Sequence, residues 1–336
     1  MKTWTLRSLL VTILLSVLGW AIIAAACLLV GSSGMGWENV EQFWARREPV
    51  LLASLVGAGL AASGVAYQAI LRNPLADPYL LGVSSGASLW AYVWRVLPAG
   101  ALTGAALAGS QQVFAFIGAG VSVGVAFLLA SRRGRLEPIT LLLVGVIVNA
   151  INGSIFLFLN AVRRGLADTG SEFTFLVGGM QTSLQQSQII TTGVCVGVGW
   201  VVLLMVSHQL NIVTLTPAEA QSLGIRVQRL RWMTLIVASI VTASVVAISG
   251  PIGFIGLVCP HLARRIVGTD HRKLLPVATA IGASLLALAD ACSRLLSATT
   301  MLGTLLPVGV LTGLIGGPFF LLLLWQHRRQ INGEDA

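Results

Sequence analysis

Long apolar runs, separated by short polar segments, make up most of the chain. Each run holds roughly 20 predominantly apolar residues, the length at which an α-helix crosses the hydrocarbon core of a bilayer. The runs predict membrane spans near residues 7–30, 50–70, 80–97, 112–130, 139–160, 188–207, 231–249, 252–268, 274–292 and 305–326. The pattern therefore predicts an all-α membrane protein, with about ten transmembrane helices in a single polytopic domain over residues 1–336.

Two polar, proline-containing segments interrupt the apolar pattern. The first reads Arg-Asn-Pro-Leu-Ala-Asp-Pro-Tyr-Leu-Leu-Gly over residues 72–82, and the second occupies residues 250–261. Pro74 and Pro78 each remove a backbone donor and disfavour helix in the preceding residue. Inside a membrane, irregular backbone is tolerated only where it faces water or is buried in protein. The two segments therefore predict a polar pathway inside a helical bundle.

The composition supports a membrane protein and excludes a nucleic-acid-binding one. The chain is 56% hydrophobic and 10% charged, whereas soluble domains carry roughly 25% charged residues. The formal net charge of +9 comes from arginines that lie in short clusters between apolar runs. Nucleic-acid binding requires a basic patch or stripe, which these clusters do not form.

The distribution of basic residues predicts the orientation in the membrane. If the N-terminus is cytoplasmic, the inside segments contain 15 of the 21 Lys and Arg residues and the outside segments contain the other six. Cytoplasmic loops of membrane proteins carry such an excess. Because the predicted number of spans is even, we expect both termini to be cytoplasmic.

Neither an ATP site nor a metal site is predicted from the sequence. The two lysines, Lys2 and Lys273, both lie outside any GxxxxGK[ST] phosphate-binding motif. If transport uses ATP, another polypeptide must bind it. The four cysteines lie in apolar runs without the spacing of metal ligands, so we expect them to be small buried side chains.

A short helix is predicted in the polar segment 211–228. Thr216 is a good N-cap, Pro217 suits the first helical position, and Glu219 completes a capping box three residues after Thr216. Gly224 supplies a stop signal. Two interpretations remain open for this helix: an interfacial connector, or a coupling helix that docks on a cytoplasmic partner.

Long sequence blocks in this chain resemble those of one transport family. The chain is similar to the permease subunits of the ABC importers for vitamin B12, ferric siderophores and haem, the FecCD/BtuC-type family. The resemblance extends from about residue 46 to residue 326. The blocks that carry it are residues 72–78, 81–87, 250–264, 269–272, 303–312 and 316–320.

The resemblance implies a fold, a set of partners and a location. It implies the type II ABC importer permease fold, with ten helices in each subunit of a permease dimer, either homomeric or heteromeric. Two ATP-binding subunits, which use ATP and Mg, dock inside, and a periplasmic substrate-binding protein docks outside. The chain itself is expected to bind no cofactor, and its expected location is the bacterial cytoplasmic (inner) membrane.

The resemblance also assigns roles to particular residues. Asn73 and Leu75 border the cytoplasmic gate. The ATPase-coupling candidates within segment 211–228 are Thr216, Glu219, Gln221, Gly224 and Arg226. The candidates for docking the binding protein are Arg46, Arg47 and Arg294. Family members often read Arg-x-Pro-Arg before the second span, whereas this chain reads Arg46-Arg47-Glu48-Pro49, so the second arginine is displaced or lost.

Several polar residues have two interpretations. Asn149 and Asn152 share one helix face, and they either line the pathway or join helices. Arg294 either pairs with Asp290, four residues earlier, or docks a partner. We expect His271 to be solvated or to contact a partner.

The sequence gives little support to two other classes of protein, and it does not specify the cargo. An ion-coupled secondary transporter usually keeps acidic residues near the bilayer midplane, and none is clearly placed there. A membrane-embedded enzyme would need a catalytic constellation, and no HExxH motif occurs. Among cargoes we favour a ferric siderophore, the commonest cargo of the resembling family, followed by haem and then a cobalamin-like corrinoid.

Overall fold

Helices account for most of the chain in the computed structural model. The structure describes residues 5–31, 34–35, 40–79, 81–96, 110–132, 135–136, 138–164, 178–180, 184–214, 226–299 and 306–332. Within these ranges the ten α-helices are α1 (Leu6–Leu28), α2 (Val40–Leu71), α3 (Val83–Val96), α4 (Ser110–Ala130), α5 (Pro138–Arg164), α6 (Gln186–Val213), α7 (Val227–Ser249), α8 (Ile255–Val267), α9 (His271–Thr299) and α10 (Val308–Asn332).

Two very short antiparallel strand pairs follow α1 and α4. Strand β1 (Val30–Gly31) pairs with β2 (Gly34–Met35), and β3 (Ser131–Arg132) pairs with β4 (Arg135–Leu136). Each strand has two residues, so these pairs are tight turns at helix ends and form no layer of their own.

Seven of the described helices are long and apolar enough to cross a membrane. They are α1, α2, α4, α5, α6, α7 and α9. In α10 the apolar portion is shorter, Val308–Leu322. The all-α architecture with about ten helices is therefore confirmed, and the chain is a multi-pass membrane protein.

The described parts of helices α3 and α8 are shorter than the hydrocarbon core of a bilayer. They have 14 and 13 residues, or about 20 Å at a rise of 1.5 Å per residue, against a hydrocarbon core of about 30 Å. The spans predicted near 80–97 and 252–268 contain these two helices, Val83–Val96 and Ile255–Val267. Each consists of non-helical backbone followed by a short helix.

Helix α2 lies at the centre of the bundle. Most of its apolar stretch is buried, and it packs against α1, α6, α7, α8 and α9. Small residues allow the closest approaches: a Cβ atom on Gly57 would lie 2.1 Å from the carbonyl oxygen of Gly282 in α9, and one on Gly64 would lie 2.0 Å from that of Gly256 in α8. This close backbone packing explains the abundance of glycine.

Helices α3, α4 and α5 form a second packed group beside α2 and α7. Gly86 of α3 meets Gly118 of α4 with their backbones in contact distance. Tyr92 of α3 lies over Phe156 of α5 with 4.4 Å between the ring centroids. The group holds α3 in place although that helix is short.

Candidate functional site

Residues 72–82, which we call the first break, fold into tight turns between α2 and α3. Arg72 has a φ of 50° and Gly82 a φ of 77°, so the chain turns at both ends of the segment. The Oδ1 atom of Asn73 accepts a hydrogen bond from the N–H of Leu75 (2.9 Å), and Oδ1 of Asp77 accepts one from Tyr79 (2.9 Å). These Asx turns satisfy backbone donors that would otherwise need a helix or water.

The first break ends inside the bundle. Gly82 lies beside Gly145 and Val148 of α5, close enough that a Cβ atom on Gly82 would be 3.0 Å from Val148. Val148 follows the first residue of α5, Pro138, by ten residues, or about 15 Å along the helix axis. Helix α3 therefore starts at roughly half the depth of a bilayer.

Residues 250–254, the second break, lie against the first. Gly250 and Phe254 have φ values of 66° and 69°, and the left-handed Phe254 precedes α8 directly. A Cβ atom on Gly256 would lie 2.8 Å from Cδ of Pro78 and 3.3 Å from Oδ1 of Asp77. The two proline-containing segments that the sequence separates by about 170 positions are thus neighbours, as a shared pathway requires.

The gate candidates Asn73 and Leu75 both lie in the first break and are half-buried. Leu75 packs against an apolar cluster centred on Leu257 and Val258 of α8. Phe319 and Phe320 of α10 contact the same cluster. The structure therefore places Leu75 of the first break against α8 and α10. Its role in a gate remains a prediction.

Asn152 joins three helices. Its Nδ2 atom donates hydrogen bonds to Oγ of Ser85 in α3 (3.1 Å) and Oγ of Ser122 in α4 (3.0 Å). Asn149, one turn earlier on α5, is half-buried. The structure thus shows the interhelix role for Asn152, and a pathway role for either residue remains a prediction.

A stretch in this region matches a hydrolase pattern by sequence alone. Residues 82–86 read Gly-Val-Ser-Ser-Gly, which is GxSxG. Ser84 is fully buried at the start of α3, and within the described residues its Oγ atom has no hydrogen-bond partner.

A cleft lined mostly by polar residues opens where α2, α6 and α8 end and α9 begins, and we call it the arginine cleft. Its volume is about 640 Å³. It lies at the end of the bundle that carries most of the arginines. The lining residues are Gln68, Ala69, Arg72, Asn73, Pro74, Asn211, Thr214, Arg264, Thr269, Asp270 and His271.

A hydrogen-bond network on one wall of the arginine cleft ties α6 to α9. Nδ2 of Asn211 donates to Asp270 (2.7 Å), and its Oδ1 accepts from the backbone N–H of His271 (2.8 Å). Asp270 also accepts from Arg272, at 2.9 Å between Oδ2 and Nη2. Although burial alone would raise the pKa of Asp270, the bonds from Arg272 and Asn211 hold it at about 2. His271, expected to be solvated or to contact a partner, is instead buried on this wall.

Only the edges of the predicted coupling segment 211–228 belong to the described residues. Thr216, Glu219, Gln221 and Gly224 lie outside them. Arg226 is exposed just before α7. At the other edge, Nε of Arg72 donates to the carbonyl oxygen of Val213, the last residue of α6, at 2.8 Å. The first break is therefore bonded directly to the start of the coupling segment.

The docking candidates at the opposite end of the bundle differ in exposure. Arg46 is 6% exposed, and its Nη1 donates to the carbonyl oxygens of Leu28 (3.4 Å) and Leu29 (3.1 Å) at the end of α1. Arg47 is exposed and lies 4.8 Å from the ring centroid of Trp44.

Arg294, the third docking candidate, is 8% exposed. Its Nη2 lies 2.8 Å from Oδ2 of Asp290, and its Nη1 donates to the carbonyl oxygen of Val30 (3.2 Å). The predicted pairing with Asp290 is confirmed. In this chain Arg46 and Arg294 thus hold the end of α1, and docking remains a prediction for all three arginines.

Sequence reasoning missed two residues of the arginine cleft, Gln68 and Asn211. Both are amides within or at the end of an apolar run, and such intramembrane polar groups tend to face a bundle interior or a cavity. Nε2 of Gln68 donates to the carbonyl oxygen of Gly256 (3.2 Å). Gln68 therefore fixes the start of α8 against α2.

A helical membrane bundle in which two helices start at breaks that lie against each other has the architecture of a transport permease. The sequence model of the FecCD transport family matches residues 7–326. The chain therefore belongs to the FecCD transport family, as the sequence blocks indicated.

Three relatives illustrate the range of the family. An uncharacterized ABC transporter permease protein, YvrB of Bacillus subtilis, is 39% identical over 305 residues, covering 89% of this chain and 82% of YvrB. The hemin transport system permease protein HmuU of Yersinia pestis is 36% identical, covering 94% of this chain and 97% of HmuU. The cobalamin import system permease protein BtuC of Halobacterium salinarum is 38% identical, covering 82% and 70%.

A solved structure agrees with the fold. It is described as an inward-facing conformation of a metal-chelate type ABC transporter, and it superposes with a TM-score of 0.77 at 28% identity. The match covers 94% of this chain and 99% of the solved one. This confirms the predicted permease fold.

Proposed function

We propose that the chain is the permease subunit of an ATP-driven importer that moves a ferric siderophore across the bacterial inner membrane. The family match over nearly the whole chain carries this proposal. The two facing breaks support it, because they supply the irregular, protein-buried backbone that a pathway through a helical bundle requires.

Energy comes from partner chains in this proposal. The sequence contains no Walker phosphate-binding loop, so two separate ATP-binding subunits hydrolyse ATP with Mg. A second permease subunit completes the pathway, and a periplasmic substrate-binding protein delivers the cargo. The arginine-rich end, with both termini, faces the cytoplasm because basic residues favour that side.

A short bonded route supports coupling between the ATPase and the gate. Segment 215–225 begins directly after Thr214, and the preceding Val213 accepts a hydrogen bond from Arg72. Arg72 begins the first break, which contains the gate candidates Asn73 and Leu75. A movement of the coupling segment would therefore act on the gate loop through one side chain.

Replacing Glu219 and Gln221 with reversed-charge or bulky residues tests this route. We expect import to fall while the partner's ATP hydrolysis continues, because docking would no longer pull on α6. The measurement compares import with ATP turnover in vesicles containing the complete transporter. Import at the wild-type rate would show that segment 211–228 is only a connector.

The importer proposal is tested by purifying the chain together with its partners. Mass spectrometry of the complex should identify an ATP-binding subunit and an iron chelate on the binding protein. In reconstituted vesicles, import should require ATP and survive ionophores that collapse ion gradients. Import that continues without ATP and stops with the ionophore would instead show a secondary transporter.

Haem is the second candidate cargo. One observation favours it: HmuU, named for hemin transport, aligns over 97% of its length. Other relatives are named for transport of an iron chelatin, achromobactin and cobalamin, so a ferric siderophore and a corrinoid also remain candidate cargoes. Haem, ferric siderophores and corrinoids have distinct absorption spectra and masses, so the same purification distinguishes them.

A further inference from the structure

The arginine cleft contains buried polar atoms whose hydrogen-bonding capacity the transport function does not use. Three of its lining residues each carry one such atom, which is buried without a hydrogen-bond partner in the described part of the chain. They are Oε1 of Gln68, Nε2 of His271 and Nη1 of Arg264. Buried polar atoms in native proteins are nearly always satisfied, so this cluster points to a ligand.

Two of the three atoms are acceptors. Gln68 is 3% exposed, and the bond from its Nε2 to Gly256 fixes the amide so that Oε1 is the remaining acceptor. His271 is 4% exposed, and its Nδ1 lies 2.6 Å from Oδ1 of Asn211. Because Nδ2 of Asn211 donates to Asp270, its Oδ1 must accept. Nδ1 of His271 therefore carries a proton, and Nε2 of the neutral ring is an acceptor.

The third atom is a donor in a region of positive charge. Arg264 and Arg72 both line the cleft, and Arg231 lies close enough to Arg72 for the two charges to repel. Asp270, the carboxylate among the lining residues, is already bonded to Arg272. An anion with a planar or tetrahedral array of oxygens would satisfy the guanidinium of Arg264.

We propose that the arginine cleft binds a phosphate group that also carries a hydroxyl donor. The phosphate oxygens accept from Arg264, and the hydroxyl donates to Gln68 or His271. The headgroup of a phosphatidylglycerol-type lipid and inorganic phosphate share this chemistry. A carboxylate from a protein partner would satisfy the arginine and leave both acceptors without a donor.

The position of the cleft agrees with a lipid headgroup. It lies where the apolar spans of α2 and α6 end, at Leu71 and Val213, and where α9 begins at His271. Headgroups occupy the membrane at the ends of apolar spans. Basic pockets between helices on the cytoplasmic side bind anionic headgroups.

The test compares Arg264→Gln with Arg265→Gln in the full chain. Arg265 is the adjacent arginine, is exposed, and does not line the cleft, so its variant removes the same charge nearby. Native mass spectrometry would count the phosphatidylglycerol retained by protein purified from nanodiscs that also contain phosphatidylcholine. We expect Arg264→Gln to lower phosphatidylglycerol affinity by about tenfold, since it loses a charge-assisted hydrogen bond, and Arg265→Gln to retain the lipid.

Added inorganic phosphate separates the two sources. Competition by millimolar phosphate that depends on Arg264 would show that the cleft takes the free ion as well, which supports the proposal. Arg264→Lys keeps the charge and should retain partial binding. The melting temperature of each variant shows whether it is folded, so that loss of binding is not mistaken for misfolding. Equal lipid and phosphate binding by Arg264→Gln and Arg265→Gln would overturn the proposal. So would unchanged lipid binding combined with loss of ATPase association, which would show an acidic partner side chain in the cleft.

Discussion

At the residue scale, buried amides join helices that are distant in sequence. Gln68 bonds to the start of α8, Asn152 bonds to α3 and α4, and Asn211 bonds to the residues that precede and begin α9. An amide both donates and accepts, so one side chain can satisfy groups on two elements at once. In a bilayer the lipid tails are as apolar as the helix side chains, so the hydrophobic effect does little to favour one helix pairing over another. Hydrogen bonds between helices therefore help to determine which helices pack together.

Replacing Asn152 with Leu should loosen the α3–α4–α5 group. The variant loses both bonds and leaves Ser85 and Ser122 without their donor. We expect about 1–2 kcal/mol of destabilisation. Hydrogen bonds between membrane helices contribute roughly 0.6 kcal/mol each, and leaving the two serine hydroxyls without this donor adds a desolvation penalty. Thermal unfolding in detergent measures the change, and Asn149→Leu on the same helix is the control. Equal melting temperatures for the two variants would contradict an interhelix role.

Asp270 should make the free energy of unfolding depend on pH in the acidic range, below about pH 4. Its pKa in the folded protein, about 2, is below the ordinary aspartate value of 3.8. The stabilisation is therefore fully present above about pH 4 and is lost as the pH falls through 2. Asp270→Asn should cost about 1 kcal/mol at neutral pH, a figure reduced for the partial exposure of the pair.

Unfolding of wild-type and Asp270→Asn protein across the pH range checks this. The difference between the two should be constant from pH 8 to 5 and shrink below pH 4. A difference that instead grows toward low pH would show that the carboxylate is not stabilised by Arg272 and Asn211 in the folded state.

At the element scale, the two breaks give the bundle its distinctive form. The prolines and glycines of residues 72–82 and 250–261 predicted the position of both breaks along the chain. The depth at which α3 begins depends on contacts of Gly82 with α5 and of Gly256 with Pro78. Such contacts join residues far apart in sequence, whereas hydropathy depends on neighbouring residues alone. Hydropathy therefore predicted the apolar stretches 80–97 and 252–268 but not the non-helical residues at their starts.

The Gly64–Gly256 contact should be intolerant of any side chain. A Cβ atom on Gly64 would lie 2.0 Å from the carbonyl oxygen of Gly256, which is backbone and cannot rotate away. Gly64→Ala should therefore push α8 from α2 and cost several kcal/mol, of order 3. Gly124→Ala on α4 is the matched control, because a Cβ atom there would have nothing within 4 Å.

Thermal unfolding and yield of folded protein in detergent measure this effect. Gly124→Ala should match the wild type or exceed it slightly, since alanine is the better helix former. A folded Gly64→Ala variant of wild-type stability would show that α2 and α8 do not pack as closely as described.

At the scale of the whole molecule, the arginines at the end of the bundle opposite the arginine cleft differ in their contacts. Arg46 and Arg294 reach the last carbonyl groups of α1 and the residue that follows them, whereas Arg47 is exposed. The sequence resemblance assigned docking to Arg46 and Arg294, and Arg47 was a further candidate, because the burial of an arginine cannot be read from the sequence. The resemblance did predict the family and the number of helices, since those depend on long ordered blocks.

Charge reversal should distinguish docking from anchoring. Arg47→Glu should weaken binding of an acidic-faced binding protein at low ionic strength and leave the melting temperature unchanged, because exposed charges steer partners. Arg46→Glu should lower the melting temperature, because a buried carboxylate would face the carbonyl oxygens of Leu28 and Leu29. Binding and thermal unfolding of both variants are measured in parallel. Unchanged affinity for Arg47→Glu at low salt would remove that residue from the docking surface.

The meeting of the first break and α8 has an electrostatic consequence. A helix N-terminus carries the equivalent of about half a positive charge. The buried side chain of Asp77 lies against the N-terminus of α8: it bonds to the backbone of Phe254, and its Oδ1 atom would be 3.3 Å from a Cβ atom on Gly256. The carboxylate and the helix N-terminus therefore offset part of each other's charge, and each makes the other less costly to bury where the two breaks meet.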